Sequence, residues 1–192
     1  MGLKDVFKKQ AEANGATIVA DESFKPDTRD LRSQLTKIKA AKPEAIYFPT
    51  MTDSALVGFK QMKELGIKTL VLGGDAWDDP KIPTDGGASV EGGQYTIAAN
   101  RNLPASFLAE MKKRNADKNL NTYSPRAYDI FNVLMGIMAK VGTDGTKIKN
   151  ELYNVKSYQG IADEYTLDKN GDVESAKFIV KEFKGGKAVE MK

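Results

Sequence analysis

The sequence predicts an α/β protein centred on an open, doubly wound parallel sheet, and three observations carry that expectation. Helical and extended apolar patterns alternate through the first two-thirds of the 192 residues. The extended runs begin near residues 16, 44 and 69, a recurrence of roughly 25–28 residues that is close to the ~30 of one βαβ unit. The run at 44–48 (EAIYF) is apolar almost throughout, as a strand covered on both faces should be.

The elements follow in order. Val6, Phe7, Gln10, Ala11 and Ala13 make one helical face, which Asn14 and Gly15 end. Residues 16–20, β-branched at Thr17, Ile18 and Val19, read as the first strand. Residues 27–30 open a second helix with Leu31, Leu35 and Ile38 at helical spacing, and Pro43 closes it. After the strand at 44–48, Thr52, Asp53 and Ser54 are predicted to cap a helix over 55–65 that Gly66 terminates. The third strand, 69–72, leads into Gly73, Gly74, Asp75, Ala76 and Trp77. Residues 78–93, rich in Gly, Pro and Asp, read as a loop and a candidate crossing between lobes. A brief strand at 94–97 comes next, then helices over 104–114 and 124–141 and a short one over 146–153 capped at 143–145. The last stretch reads as hairpins, with turns at Asn170-Gly171 and Gly185-Gly186. The 124–141 helix is out of proportion to its surroundings. Ala127, Ile130, Phe131, Leu134, Ile137 and Met138 give it a broad apolar face, yet the strands nearby are few and short. It packs on the first α/β layer, or its own sheet is not in this chain.

Composition narrows the chemistry. The chain has no histidine and no cysteine. That excludes Ser-His-Asp and Cys-His nucleophiles, His- or Cys-ligated zinc, haem and iron–sulfur groups, and disulfides. Carboxylate, Lys or Tyr chemistry survives, as does any function that needs only binding. The 29 Lys and Arg against 26 Asp and Glu are scattered, with no basic run marking a nucleic-acid or membrane-surface stripe. No apolar stretch approaches the ~18 residues of a membrane-spanning helix. The start, Met1 to Val6, has neither the apolar core of a signal peptide nor a myristoylation pattern.

Two local motifs read as turns. Asp168-Lys169-Asn170-Gly171-Asp172 opens like a calcium loop, but the positions that require Gly and Glu hold Val173 and Ile179. The glycines at 86 and 87 are followed by no Lys-Ser/Thr pair and do not sit between strand and helix, so no phosphate cradle is expected. The strand ends are richer. Ligands of open α/β sheets bind beyond the carboxyl ends of the strands, where the chain offers Thr50 and Met51 after one strand and Asp75 and Trp77 after the next. A carboxylate beside the only Trp suits an ammonium group with an apolar side chain. Equally, Asp75 caps a turn and Trp77 is a core residue; spacing leaves both readings open. Adjacent Asp78 and Asp79 are expected to be solvated, which makes acid–base catalysis a poor expectation.

Several segments together resemble the branched-chain-amino-acid-binding branch of the type I periplasmic binding proteins. They are 28–35 (TRDLRSQL), 38–46 (IKAAKPEAI), 61–66 (QMKELG), 72–75 (LGGD), 90–92 (VEG), 127–129 (AYD) and 168–172 (DKNGD), in this order and spacing. The resemblance implies two α/β lobes joined by three crossings, with ligand clamped between them, and it covers only the second half of such a protein. On that mapping 1–98 and 177–192 are a nearly complete second lobe, and 99–176 normally completes the first. The first-lobe sheet and the opening strand of the second lobe would precede Met1, which accounts for a helix without its sheet.

The resemblance also assigns roles. Asp75 matches the acidic residue that receives the ligand's ammonium, a position held by Glu in the best-known amino-acid binders. Tyr123 matches an aromatic residue lining the pocket from the first lobe, and Met51 falls where an aromatic contact is common. Thr50 and Trp77 join them as expected ligand contacts from the strand ends. The groups holding the ligand carboxylate belong to the first lobe. The implied function is the solute-binding component of an ABC importer for a branched-chain or other aliphatic amino acid, working by hinge closure and docking on a membrane permease. The resemblance further implies no enzymatic activity, no cofactor, metal or nucleic acid, and export to the periplasm or cell surface, with the signal expected upstream. The alternative is a sensory or regulatory module of the same fold. The isolated chain is expected to expose apolar surface around Ile130, Leu134 and Ile137, and so to pair with the missing lobe or with itself.

Overall fold

The computed structural model describes residues 2–99, 101–117, 120–174 and 176–191. Its helices are α1 (Leu3–Ala13), α2 (Arg32–Ala40), α3 (Thr52–Glu64), α4 (Lys81–Gly86), α5 (Ala105–Lys113), α6 (Tyr123–Val141) and α7 (Gly145–Leu152). Its strands are β1 (Ala45–Tyr47), β2 (Leu70–Gly73), β3 (Gln94–Ala98), β4 (Tyr158–Gln159), β5 (Glu164–Tyr165), β6 (Phe178–Lys184) and β7 (Lys187–Glu190). The chain divides into two compact units, 1–97 with 179–192, and 98–178.

The first unit is an α/β layer. Its open sheet runs β1-β2-β3-β6-β7, with β1, β2 and β3 parallel and β6 and β7 an antiparallel hairpin. Ile46 pairs with Val71 and Gly73 with Tyr95. Side chains alternate between faces along a strand, so Ile46 and Phe48 enter one core with Ala55, Phe59 and Met62 of α3 and Leu35 of α2. Tyr47 faces the other way, and Phe7 of α1 stacks on it at a centroid distance of 3.9 Å. Helices therefore flank β1 on both faces, as a doubly wound sheet requires. Gly73 permits close packing: a Cβ there would run into the Trp77 ring.

Three expectations change in this unit. Residues 16–20 pair with no strand among the described residues. The run has β-propensity but no neighbour to supply ladder hydrogen bonds, and propensity alone does not make a strand. Next, α3 starts at Thr52, with Met51 in the cap position and no side chain capping it. The Thr52 hydroxyl instead donates to Asp79 Oδ2 (2.8 Å), and that of Ser54 to the Pro26 carbonyl (3.2 Å). Finally, 78–93 is not a bare loop and lies wholly inside this unit. Asp79 Oδ1 accepts from the Lys81 amide (2.8 Å), starting α4, whose Ile82 and Pro83 are buried.

The second unit holds α5 to α7 and the antiparallel pair β4–β5. Its organising group is Asp129 on α6, only 1% exposed. Its carboxylate accepts from the amides of Ile161 and Ala162, each at 2.8 Å, and from the Tyr165 hydroxyl at 3.0 Å. Gly160 allows this, because a Cβ there would meet the same carboxylate. Asp144 caps α7 through the amides of Thr146 and Lys147. The 168–172 motif is a turn: Asp168 Oδ1 accepts from the amides of Asn170 and Asp172, both at 2.8 Å, and Gly171 has φ +89°. The apolar face of α6 is exposed at Ile130, Phe131 and Met135. Leu134 is half-buried and Ile137 buried, so the open stripe lies further round the helix than the expected Ile130, Leu134 and Ile137.

Candidate functional site

Parallel pairing fixes which loops share an end of the sheet. Tyr47 sits opposite Leu72, and the Phe48 amide donates to the Leu72 carbonyl at 2.7 Å. The chain therefore leaves β1 and β2 at the same carboxyl end. There Thr50 is half-buried and Met51 largely exposed, while Asp75 is exposed in a single 3₁₀ turn, Asp75–Trp77. The Asp75 carboxylate accepts from the Ala76 amide at 3.1 Å, which leaves oxygen lone pairs available to a ligand.

Tyr47, the last residue of β1, was not singled out by the loop-based reading. Its hydroxyl pKa is raised, first by burial and then by the negative charge of Asp75. That coupling places a phenol within electrostatic reach of the carboxylate, over the ring of Phe7. The signal available in the sequence was the alternation of EAIYF, which puts Tyr47 on the face opposite Ile46.

Trp77 is the correction at this site. It is fully buried, with its ring between Phe48, Phe59, Tyr95 and Phe183 at centroid distances of 5.0 to 6.5 Å. Its Nε1 is buried with no hydrogen-bond partner among the described residues. Packing alone holds it, and it presents no wall to solvent. The two adjacent acids also differ from expectation, since both Asp78 and Asp79 are partly buried and bonded. Tyr123 belongs to the second unit, where it opens α6 about half exposed and its amide donates to Asn121 Oδ1 at 3.0 Å. That unit also has an open cleft of about 350 Å³ lined by Tyr153, Lys156, Asp168 and Lys169. Asp168 is already engaged by its own turn and Lys156 Nζ by the Leu167 carbonyl. No group of acidic side chains among the described residues could hold a metal, and none of the described helices is long and apolar enough to cross a membrane.

Known proteins agree with this architecture. A leucine-binding protein of Thermotoga maritima superposes with a TM-score of 0.87 at 25% identity, over 100% of this chain and 55% of that one. A branched-chain amino acid transporter substrate-binding protein of Streptococcus pneumoniae, solved with isoleucine, shares the fold at a TM-score of 0.75 and 22% identity, over 98% and 56%. Among curated sequences, Leu/Ile/Val-binding protein homolog 3 of Brucella melitensis is 26% identical over 98% of this chain and 52% of its own length. The chain thus spans about half the length of the curated relatives it matches. A sequence model of the family described as Periplasmic binding protein matches residues 2–187. With the open α/β sheet and its strand-end loops, that match over nearly the whole chain means that the chain belongs to the periplasmic binding protein family, with the type I fold.

Proposed function

We propose that this chain is the ligand-gripping half of a solute-binding component of an ABC importer, and that its ligand is a small branched-chain or other aliphatic amino acid. The observation that carries the reading is an exposed carboxylate, Asp75, at the carboxyl ends of β1 and β2 beside Thr50 and Met51. It lies in a family whose curated relatives are named for leucine, isoleucine and valine. Residues 1–98 and 177–192 act as the second lobe, and 99–176 completes the first. Asp75 receives the ligand's ammonium, Thr50 and Met51 line the ligand from the same lobe, and Tyr123 lines it from the other. Ligand bridging the lobes shifts the population to a closed form that docks on the permease. The task needs no cofactor, and the protein works outside the cytoplasm, in the periplasm or at the cell surface.

The same reading accounts for residues 16–20. Helix α2 lies on the core face of β1 and α1 on the opposite face. Right-handed crossovers on opposite faces run in opposite directions along the sheet. A strand ahead of α1 would therefore lie between 16–20 and β1, and would give 16–20 its missing partner. The first lobe would likewise cover Phe131 and Met135 of α6.

The test is calorimetric titration of L-leucine, L-isoleucine and L-valine into this chain reassembled with a first-lobe half. Binding of at least one is expected. Asp75→Ala should weaken it by about 2–5 kcal/mol, the range for truncating one partner of a desolvated charge pair. No binding by any of the three overturns the ligand class, and unchanged affinity in Asp75→Ala overturns the assignment of Asp75.

A further inference from the structure

The adjacent acids Asp78 and Asp79 hold the Asp75 turn from two sides. Asp78 Oδ1 accepts from the Tyr95 hydroxyl and from Lys181 Nζ, each at 2.7 Å. This ion pair is largely withdrawn from water, with side-chain exposures of 10% for Asp78 and 21% for Lys181. Asp79 Oδ2 accepts from the hydroxyl of Thr52 at 2.8 Å, and Thr52 directly follows Met51. Tyr95 and Lys181 occupy matching places in the chain. Tyr95 is two residues before Ile97, where the chain leaves the first unit, and Lys181 is two residues after Ile179, where it returns. Their strands are neighbours, since the Gly92 amide donates to the Phe183 carbonyl and the Phe183 amide to that of Gly93, both at 2.9 Å.

A buried ion pair is often no more stabilising than apolar side chains of the same volume. Stability alone therefore does not account for a carboxylate with two donors at this place. What the arrangement does supply is position. The turn that carries Asp75 is linked through one acid to both crossing strands, and through the next acid to the loop that carries Thr50 and Met51.

We propose that Asp78 and Asp79 are positioning residues: they hold Asp75 in register with Thr50 and Met51, and they couple events at that turn to the two strands where the chain crosses between units. This rests on the reading of Asp75 as a ligand contact. It adds that contact with ligand is felt at β3 and β6 through Tyr95 and Lys181.

The test uses amide NMR of the labelled chain reassembled with a first-lobe half, with L-leucine as the probe, on wild type, Lys181→Met and the charge-neutral double variant Asp78→Asn/Lys181→Met. In wild type, L-leucine should shift the amides of residues 74–76 and also those of 95–97 and 179–181. In Lys181→Met the 74–76 response should persist while the strand response is lost. The double variant should regain melting temperature without regaining the strand response. Recovery of both together, or a strand response unchanged in Lys181→Met, overturns the coupling. If L-leucine, L-isoleucine and L-valine shift nothing in wild type, the ligand reading fails by itself. The tie is then judged without ligand: Asp75 and Ala76 amides that do not move in Lys181→Met overturn it. Tyr95→Phe, which removes one hydroxyl, serves in place of Lys181→Met if that variant does not fold.

Discussion

Removing the Asp129 carboxylate should cost the second unit a large share of its stability. The group is 1% exposed and accepts three hydrogen bonds, two from consecutive backbone amides of the 160–165 hairpin and one from Tyr165. Hydrogen bonds to a charged group contribute about 1.5–3 kcal/mol each, and a buried donor left unpaired costs about 1–3. The three bonds act on one short segment, so they are not additive. Ile161 is only partly buried, so its amide can regain water, whereas Ala162 is fully buried and its amide cannot. Asp129→Ala should therefore cost about 3–5 kcal/mol, against the 5–15 that holds a typical domain together. Asp129→Asn keeps one acceptor oxygen and should cost roughly half as much. Urea unfolding followed by far-UV circular dichroism gives the total, and amide exchange at Ile161 and Ala162 locates it. Trp77 fluorescence reports the first unit separately. A loss below about 1 kcal/mol with Ala162 still protected would refute the account. A pH arm checks the same contacts. Burial first, then the bond to Asp129 and its charge, raise the Tyr165 pKa above its ordinary 10.0. Its contribution is therefore complete below about pH 10 and is lost as pH rises through the folded value. Asp129→Ala should bring Tyr165 ionisation partway back down.

Two more outcomes follow from the geometry. Gly73→Ala drives a Cβ into the Trp77 ring and should destabilise the first unit by about 1–3 kcal/mol, the usual cost of overpacking. Urea unfolding read by Trp77 fluorescence measures it, and a cost indistinguishable from zero contradicts the packing described. The Asp168 carboxyl is held below its ordinary 3.8, chiefly by the Asp172 amide and further by those of Asn170 and Gly171. A lowered folded pKa stabilises above the ordinary carboxylate range and is lost as pH falls through the folded value. The 168–172 turn should thus open below about pH 4, seen as loss of exchange protection at Asn170 and Asp172. Protection unchanged down to pH 2 contradicts it.

The parallel elements were legible because their signals are local. Leu31, Leu35 and Ile38 mark one face of α2, and EAIYF marks a doubly covered strand. The Asp168 turn was equally plain, since Asn-Gly at a hairpin tip needs no help from the rest of the chain. What could not be read were choices made by distant partners. Asp78 and Asp79 look solvated beside Pro80, and only the fold reveals that Tyr95 and Lys181 arrive there from 17 and 103 residues away. Trp77 follows the strand-end carboxylate by two residues, which suits a crevice wall as well as a core. The 3₁₀ turn decides, because it leaves Asp75 outward while swinging the indole onto Gly73, where the missing side chain makes room.

Residues 16–20 and α6 missed their expected surroundings for one shared reason. β-branching and helical periodicity record what a segment demands of a neighbour, not whether the neighbour is present. Thr17, Ile18 and Val19 suit a strand, and without an adjacent ladder they form none, with Val19 half exposed. Helix α6 has turned Ile137 inward and left Phe131 and Met135 outward, because only part of its apolar circumference finds cover. On the proposed two-lobed reading, the segment whose patterning asks for a strand and the helix whose face asks for a sheet are the two surfaces that a first-lobe half would cover. The two sites therefore make one joint expectation. Adding a first-lobe half in trans should protect the amides of 16–20 and bury Phe131 together, whereas protection of either alone would separate the two surfaces.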